Sequence, residues 1–338
     1  MCKPTTCIRL PLLLLAALLV LLSLNTGKFM TDDRPAAGQA AVPGALASHE
    51  IPPDGTLMIE RTYRVSAGDR LEIRVAHADV TVESGATDEA QIEVFLQARD
   101  MERARRYFDD LRFEVEQQGN TVSVTTNQRP GLNWSFNRNG GARISVRVVV
   151  PERFEADLRL SHGDLELGSL AGRADIRASH GDVDVTSLRG PAISFELSHG
   201  DLQAERIEGE TVTLRSSHGD MDLRTVLAAS LDAGASHGDI RIDALEGRAE
   251  LTDSHGDIAV RFIKSNGFRI RNSHGDVDVQ LPAGNPGDVQ LSGASVRVAS
   301  EFGFEGTLRK DRAEGRINGG GPQMEVHTSH GSVTLRAD

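Results

Sequence analysis

The residues of this sequence that could do chemistry are concentrated in one tetrapeptide, Ser-His-Gly-Asp. A hydroxyl, an imidazole and a carboxylate together suit nucleophilic catalysis, and imidazole with carboxylate suits first-row divalent metals. The tetrapeptide occurs seven times, at residues 161–164, 179–182, 198–201, 217–220, 236–239, 254–257 and 273–276. The members of a catalytic triad converge from separate positions and form a single site. Seven contiguous copies therefore argue against an enzyme, and we predict no catalytic residues.

The spacing of the copies predicts the fold. They recur every 18 or 19 residues, a degenerate copy follows at 292–295, and a near-copy (SHGS) closes the chain at 329–332. A fixed period near 20 residues is typical of a solenoid. Apolar and polar residues alternate around most copies, as at Val183 and Val185, which is the period of a half-buried strand. We predict an all-β fold, a single-chain β-solenoid resembling a parallel β-helix, with coils of 18–19 residues.

In such a solenoid the tetrapeptide would form a repeated corner. Glycine suits a corner with positive φ, and aspartate can accept hydrogen bonds from nearby backbone groups. We predict these structural turn roles for Gly163, Gly181, Gly200, Gly219, Gly238, Gly256 and Gly275, and for Asp164, Asp182, Asp201, Asp220, Asp239, Asp257 and Asp276.

The corner histidines would form a row with about 4.8 Å between coils. They are His162, His180, His199, His218, His237, His255 and His274. A specific metal site needs three or four converging ligands, whereas a row supplies repeated half-sites. We therefore predict no metal site and no cofactor, and metal binding by the ladder remains an alternative. Proton sensing is another alternative, because stacked imidazoles repel one another when charged.

The part of the chain before the repeat also alternates as strands. Residues 76–79 (AHAD) resemble a degenerate corner, so the solenoid could begin there. Residues 100–111 break the alternation with apolar residues at helical spacing, and their first residue, an aspartate, suits an N-cap. The solenoid domain is expected to span 57–338. It comprises N-terminal strands with one short helix at 57–160, and the repeat region at 161–338.

The first residues have the composition of an export signal. An uncharged apolar stretch at 10–24 follows Lys3 and Arg9, and no A-x-A-like cleavage site comes after it. We predict that residues 1–30 form an uncleaved signal anchor, a membrane helix, with a cleaved signal peptide as the alternative. Residues 31–56, rich in Pro, Ala and Gly, would be a linker. The protein is expected in the bacterial inner membrane as a single-pass protein with its domain in the periplasm, or free in the periplasm after cleavage.

Charge and cysteine content exclude further classes. The chain has 37 Lys+Arg and 49 Asp+Glu, a net charge of −12. The first thirty residues hold three basic residues and no acid, so the remainder carries 34 − 49 = −15. Nucleic-acid binding, which needs a basic face, is not expected. Both cysteines, Cys2 and Cys7, lie in the leader, so the exported domain would have no disulfide and no thiolate site.

Several motifs resemble the bacterial putative adhesin domain family (domain of unknown function 4097). Residues 143–151 (RISVRVVVP) are similar to its strand ending in Val-Pro, which leads into Ser/Thr-x-Gly-Asp-hydrophobic coils. Residues 318–333 resemble its closing glycine loop and last coil. The resemblance covers 58–338 and implies an exported β-solenoid, often tethered to the membrane and without established catalysis. The regular histidine departs from the family pattern, where other residues are common, and this favours the turn interpretation over a required ligand.

The sequence therefore predicts a non-catalytic β-solenoid of the cell envelope, an adhesin-like or scaffold module. Its expected partner is an envelope protein or polymer, with the membrane contacted through the N-terminal helix. A metal- or pH-responsive envelope module using the His/Asp ladder is the alternative, and a carbohydrate-active enzyme is the third.

Overall fold

The computed structural model describes residues 55–127 and 141–338. The predicted signal anchor and nearly all of the predicted linker lie outside the described residues. Within the described ranges, no helix is both long and apolar enough to cross a membrane.

The described chain is almost entirely β-structure, as the alternation of apolar residues predicts. The N-terminal part contains β1 (Thr56–Arg64), β2 (Arg70–Val75), β3 (Asp79–Gly85), β4 (Glu89–Gln97), α1 (Met101–Leu111), β5 (Phe113–Gln118), β6 (Thr121–Thr126) and β7 (Arg143–Pro151). The central part contains β8 (Glu155–Leu160), β9 (Leu165–Ala171), β10 (Ala174–His180), β11 (Val183–His199), β12 (Leu202–His218), β13 (Met221–Leu223), β14 (Val226–His237), β15 (Ile240–His255), β16 (Ile258–His274) and β17 (Val277–Leu281). The C-terminal part contains β18 (Gly287–Ser292), β19 (Ser295–Val298), a 3-10 turn (Ser300–Phe302), β20 (Glu305–Leu308), β21 (Arg312–Ile317), β22 (Gln323–His330) and β23 (Ser332–Ala337).

The single α-helix lies where helical spacing predicts it. Asp100 is its N-cap and accepts a hydrogen bond from the main-chain N–H of Arg103. Ala104, Phe108 and Leu111 are buried on one face. The predicted all-β fold with one short helix in the N-terminal part is confirmed.

The central strands stack in parallel, one coil upon the next. β11 pairs with β12 in a register that places Val183 opposite Leu202 and His199 opposite His218. Parallel pairing continues through β14, β15 and β16 with local register shifts, and the corner histidines remain opposite one another. Since equivalent positions of successive coils lie side by side, each corner motif contacts its own copy above and below.

The interior of each coil is filled by apolar side chains. In β11, Val183, Val185, Leu188, Ile193 and Phe195 are all buried. Steps of two residues follow a straight strand, whereas the steps from 185 to 188 and from 188 to 193 interrupt the alternation and mark two bends. The two bends and the Ser-His-Gly-Asp corner divide the coil into three short sides. A single coil of this kind cannot cover its apolar side chains, so the core is buried only when coils stack.

Both ends of the stack depart from the simple sequential order. β2 and β3 pair in parallel with β8 and β9, although the paired residues, such as Arg70 and Glu155, are 85 positions apart in the chain. At the other end, the last coil (β22 and β23) lies between the β16–β17 coil and the β18–β19 coil. Antiparallel pairs flank the parallel stack at both ends, where the chain turns back as β1–β4–β7, β5–β6 and β18–β21–β20. A purely parallel helix-like stack would leave open ends, and these hairpins lie against them.

Candidate functional site

The Ser-His-Gly-Asp copies form one continuous corner along the solenoid. The structure extends this corner at both ends, because His77 stacks on His162 and His330 stacks on His274. The corner therefore includes nine coils. We use the name corner strip for residues 76–79, for the seven Ser-His-Gly-Asp copies and for 329–332.

Two features of each corner require glycine: its backbone φ angle and the close approach of the preceding coil. Its φ angle lies between 118° and 158° in the seven copies, a region that side chains rarely adopt. In addition, a Cβ on Gly219 would lie 2.1 Å from the main-chain oxygen of Gly200 in the preceding coil. The structure places all seven predicted turn glycines in this geometry, namely Gly163, Gly181, Gly200, Gly219, Gly238, Gly256 and Gly275.

The aspartate of each corner bonds to the neighbouring coil instead of its own turn. The main-chain N–H of Asp201 donates to Oδ1 of Asp182 at 2.9 Å, and that of Asp220 donates to Oδ1 of Asp201 at 2.8 Å. The same bond is repeated from Asp79 to Ser332, with lengths of 2.7–3.1 Å. Its members are Asp79, Asp164, Asp182, Asp201, Asp220, Asp239, Asp257, Asp276 and Ser332. Ser332 can end this ladder because it needs only its N–H there.

The histidine side chains form a stack of imidazole rings on the outside of the corner. From His162 to His330 adjacent ring centroids are 4.6–4.9 Å apart, and the ring planes differ by only 2–4°. The rings of His180, His199, His218, His237, His255, His274 and His330 are exposed. The main-chain carbonyls of these residues hold the corner together, since His199 O accepts a hydrogen bond from Gly181 N.

The N-terminal end of the stack has a different environment. His77 and His162 are only partly exposed, and their rings are tilted by 46°. Burial, together with the charge of His162, lowers the pKa of His77 to about 4. Burial and the neighbouring His180 also lower the pKa of His162. These two imidazoles therefore resist protonation.

A row of buried polar side chains lies just inside the corner strip, two residues before the histidine. Asn272 Nδ2 donates to the oxygen of Gly256 at 2.7 Å, and Thr328 Oγ1 donates to the oxygen of Gly275 at 3.0 Å. Asp253 occupies the same position, and burial raises its pKa. The sequence analysis missed this row. The available signal was a polar residue at a position where the strand alternation requires an apolar one.

The outer faces of the strands carry ion pairs. Arg177 Nε lies 3.3 Å from Glu196 Oε2, and Arg269 Nε lies 2.7 Å from Glu325 Oε2 on the paired strand. Such exposed pairs contribute little stability each. They show that many of the acidic residues in the repeats are matched by arginine on a neighbouring coil.

A second surface feature is an open groove of about 590 Å³ along a different corner. Its floor is formed by Gly190, Gly209, Ala228 and Gly247. Glu208 lies at its edge and accepts hydrogen bonds from Arg206 and Arg189, which lower its pKa. Glu246 pairs with Lys264. Because Glu208 and Glu246 are already paired with cations, these two carboxylates of the groove offer less free chemistry than the corner strip.

The metal-ligand interpretation can be compared directly with the geometry. Within residues 55–127 and 141–338, no group of three or more His, Cys, Asp or Glu side chains is arranged to hold one metal ion. The row brings imidazoles together two at a time, as neighbours in the stack. The arrangement thus offers a repeated polar surface and repeated two-imidazole pairs.

A stack of parallel coils with one repeated polar corner defines the protein as a β-solenoid. The sequence model of the family described as Toastrack DUF4097 matches residues 68–336, and the chain belongs to that family. The resemblance to a putative adhesin family is confirmed.

Solved structures with similar folds include two proteins of Parabacteroides distasonis and one of Bacteroides fragilis. A putative adhesin from Parabacteroides distasonis is 11% identical, with a TM-score of 0.48, covering 83% of this chain and 98% of that one. A putative adhesin from Bacteroides fragilis is 12% identical, with a TM-score of 0.43, covering 82% and 97%. A putative lipid binding protein from Parabacteroides distasonis is 14% identical, with a TM-score of 0.44, covering 82% and 96%. The comparison with curated proteins gives no match.

Proposed function

We propose that this protein is a non-catalytic, adhesin-like binding module of the bacterial cell envelope. Its N-terminal apolar segment would anchor it in the inner membrane, with the solenoid on the periplasmic side. Family membership and the positively charged, apolar leader support this assignment. Release into the periplasm after cleavage is the alternative placement.

The observation that carries the proposal is the retention of exposed serine and histidine at the corner. Gly and Asp are explained by the backbone contacts of the coil. The exposed imidazoles stack on one another, and among the described residues their ring nitrogens make no hydrogen bond to the turn. Other outward positions have diverged between coils, since Glu196, Arg215 and Gly234 occupy equivalent places. An exposed residue that is kept while its neighbours change indicates a surface used for contact.

The shape of the corner strip favours an extended partner. It presents the same hydroxyl, imidazole and carboxylate every 4.6–4.9 Å. A polymer or protein segment lying along the solenoid axis would meet the same groups at each coil. We therefore place the partner, an envelope protein or polymer, along this strip and not in the groove.

Site-specific photo-crosslinking in native cells tests the proposal. A photoreactive residue at Ser236 on the strip should give a defined adduct, and one at Ala229 beside the groove should not. The adduct should be lost with His218→Gln and His255→Gln, which flank Ser236 on the strip. It should persist with Glu208→Gln and Glu246→Gln in the groove. An adduct that forms at Ala229, or that ignores the histidine changes, would overturn the assignment to the strip.

The location and the absence of catalysis need separate measurements. In a Cys2→Ser, Cys7→Ser background, Thr307→Cys on the exposed strand β20 should react with an impermeant thiol reagent in spheroplasts. Protection of this cysteine until lysis would contradict a periplasmic domain. Release of soluble products from acidic polysaccharides by the purified protein would replace the binding role with the enzymatic alternative.

A further inference from the structure

The exposed part of the histidine stack consists of seven rings with uncommitted nitrogens. They are His180, His199, His218, His237, His255, His274 and His330. Among the described residues, none of these rings takes part in a side-chain hydrogen bond or an ion pair. Each neutral imidazole therefore keeps a lone pair available to a ligand.

We propose that neighbouring imidazoles of this exposed row bind first-row transition metal ions such as Zn²⁺, Ni²⁺ and Cu²⁺, one ion for each pair of coils. Imidazole is a preferred ligand of these metals, and a metal–nitrogen bond is about 2.0–2.1 Å long. Two nitrogens on one tetrahedral ion are then about 3.4 Å apart. The ring centroids are 4.6–4.9 Å apart and the ring planes differ by only 2–4°. The two nitrogens must therefore approach by about 1.2–1.5 Å, and the rings must turn out of parallel so that their in-plane lone pairs meet at the ion. Exposed side chains can make this movement by rotating about their own bonds.

The charge of the corner strip favours cations. Six of these seven coils carry an aspartate two residues after the histidine, and the coil of His330 has Ser332 there. Oδ1 of each aspartate accepts the next coil's N–H, as in Asp201 and Asp220. A row of carboxylates beside the imidazoles attracts divalent cations and repels anionic ligands.

The pairing geometry also determines what kind of metal site this is. Because the described residues offer no group of three ligands, each ion would be held by two imidazoles and complete its coordination with water. Seven rings taken two at a time accommodate at most three ions. This inference goes beyond the proposed binding role, and the two can fail separately, because metal binding is measured without any envelope partner.

Isothermal titration of the full-length chain in detergent tests the inference. The protein is prepared without a polyhistidine tag and with Cys2→Ser and Cys7→Ser, so that neither tag nor leader thiols contribute. An alternating variant changes His180, His218, His255 and His330 to Gln, which leaves three rings about 9.6 Å apart. A contiguous variant changes His180, His199, His218 and His237 to Gln, which leaves three adjacent rings, His255, His274 and His330.

The two variants have the same composition and differ only in adjacency. We expect up to three Ni²⁺, Cu²⁺ or Zn²⁺ ions on the parent chain and one on the contiguous variant. Affinity should be at least tenfold weaker on the alternating variant. Equal loss in both variants, or no saturable binding by the parent chain at millimolar metal, would overturn the inference.

A spectroscopic measurement avoids the variants altogether. The electron paramagnetic resonance spectrum of the parent chain with one equivalent of Cu²⁺ should show two equatorial imidazole nitrogens. A spectrum with a single nitrogen, or with oxygen ligands alone, would show that the rings do not act in pairs and would likewise overturn the inference.

Discussion

The main-chain N–H of Asp239 donates a hydrogen bond to Oδ1 of Asp220, one coil earlier, at 2.8 Å. Each aspartate from Asp164 to Asp276 is at once a donor to the coil on one side and an acceptor for the coil on the other. A corner would otherwise interrupt the β-ladder and leave its N–H without a partner. The carboxylate therefore continues the hydrogen bonding between coils through the turn.

Changing Asp220 to Ala should destabilise the solenoid by about 1–3 kcal/mol, because the N–H of Asp239 loses its charged acceptor. Asp220→Asn keeps an oxygen at the same place and should cost less than half as much. Urea unfolding of the two variants measures the difference. Equal losses would mean that the charge matters and the hydrogen bond does not.

Changing Gly219 to Ala should destabilise the chain by more than about 3 kcal/mol. Its φ is 129°, and the added Cβ would lie 2.1 Å from the oxygen of Gly200. Gly284→Ala is the matched control, since no atom lies within 4 Å of the Cβ built there. Thermal melts should show a large fall in Tm for the first change and a shift near zero for the second. Similar melts for both would contradict the requirement for glycine at the corner.

The repeat period predicted the solenoid and the location of the corner, because stacked coils need one equivalent residue in each coil. It did not predict the partner of Asp220. Local turn rules point to a bond within the same turn, whereas the observed acceptor depends on the register between coils. Only the three-dimensional stack places residues 19 positions apart in hydrogen-bond contact.

The spatial order of the last coils could not be predicted from the sequence either. The degenerate corner at 292–295 precedes the near-copy at 329–332, which suggests the same order in space. In the structure His330 stacks on His274, and Ser295 pairs with Ser332 on the far side. The near-copy at 329–332 keeps the histidine and continues the histidine stack of the central coils, while the degenerate copy, which lacks both the histidine and the aspartate, lies beyond it.

The solenoid should lose stability as the pH falls from about 6.5 towards about 4. His77 has a pKa of about 4 in the folded protein, against 6.5 when unperturbed. The unfolded chain therefore takes up a proton first, and its protonation favours unfolding across this interval. The nearby carboxylate of Asp79 cannot compensate, since it is engaged with Arg143 and with the N–H of Asp164.

Thermal melts at several pH values measure this effect. The parent chain should melt a few degrees lower at pH 4.5 than at pH 7.5. His77→Gln removes the titrating group and should reduce the slope. A variant whose Tm changes with pH as steeply as that of the parent would show that the dependence arises elsewhere.

Asp253 should destabilise the protein at neutral pH, so that Asp253→Asn makes the chain more stable. Its carboxylate is buried, burial raises its pKa, and Oδ2 has no hydrogen-bond partner among the described residues. Since the unfolded chain ionises at lower pH than the folded one, the stability associated with this group is present at acid pH. It is lost as the pH rises through the folded pKa. An amide at this position can donate to the corner carbonyl, as Asn272 does to Gly256 in the next coil.

Asp253 and Asn272 occupy equivalent positions in neighbouring coils, so Asp253→Asn and Asn272→Asp are controls for each other. At pH 7, Asp253→Asn should raise the free energy of unfolding by about 1–3 kcal/mol, and Asn272→Asp should lower it by a similar amount. Because the wild-type aspartate becomes protonated in acid, the gain from Asp253→Asn should shrink near pH 4. Urea unfolding at the two pH values measures both changes. A neutral effect of Asp253→Asn at pH 7, together with a loss from Asn272→Asp, would mean that water inside the corner already solvates the carboxylate.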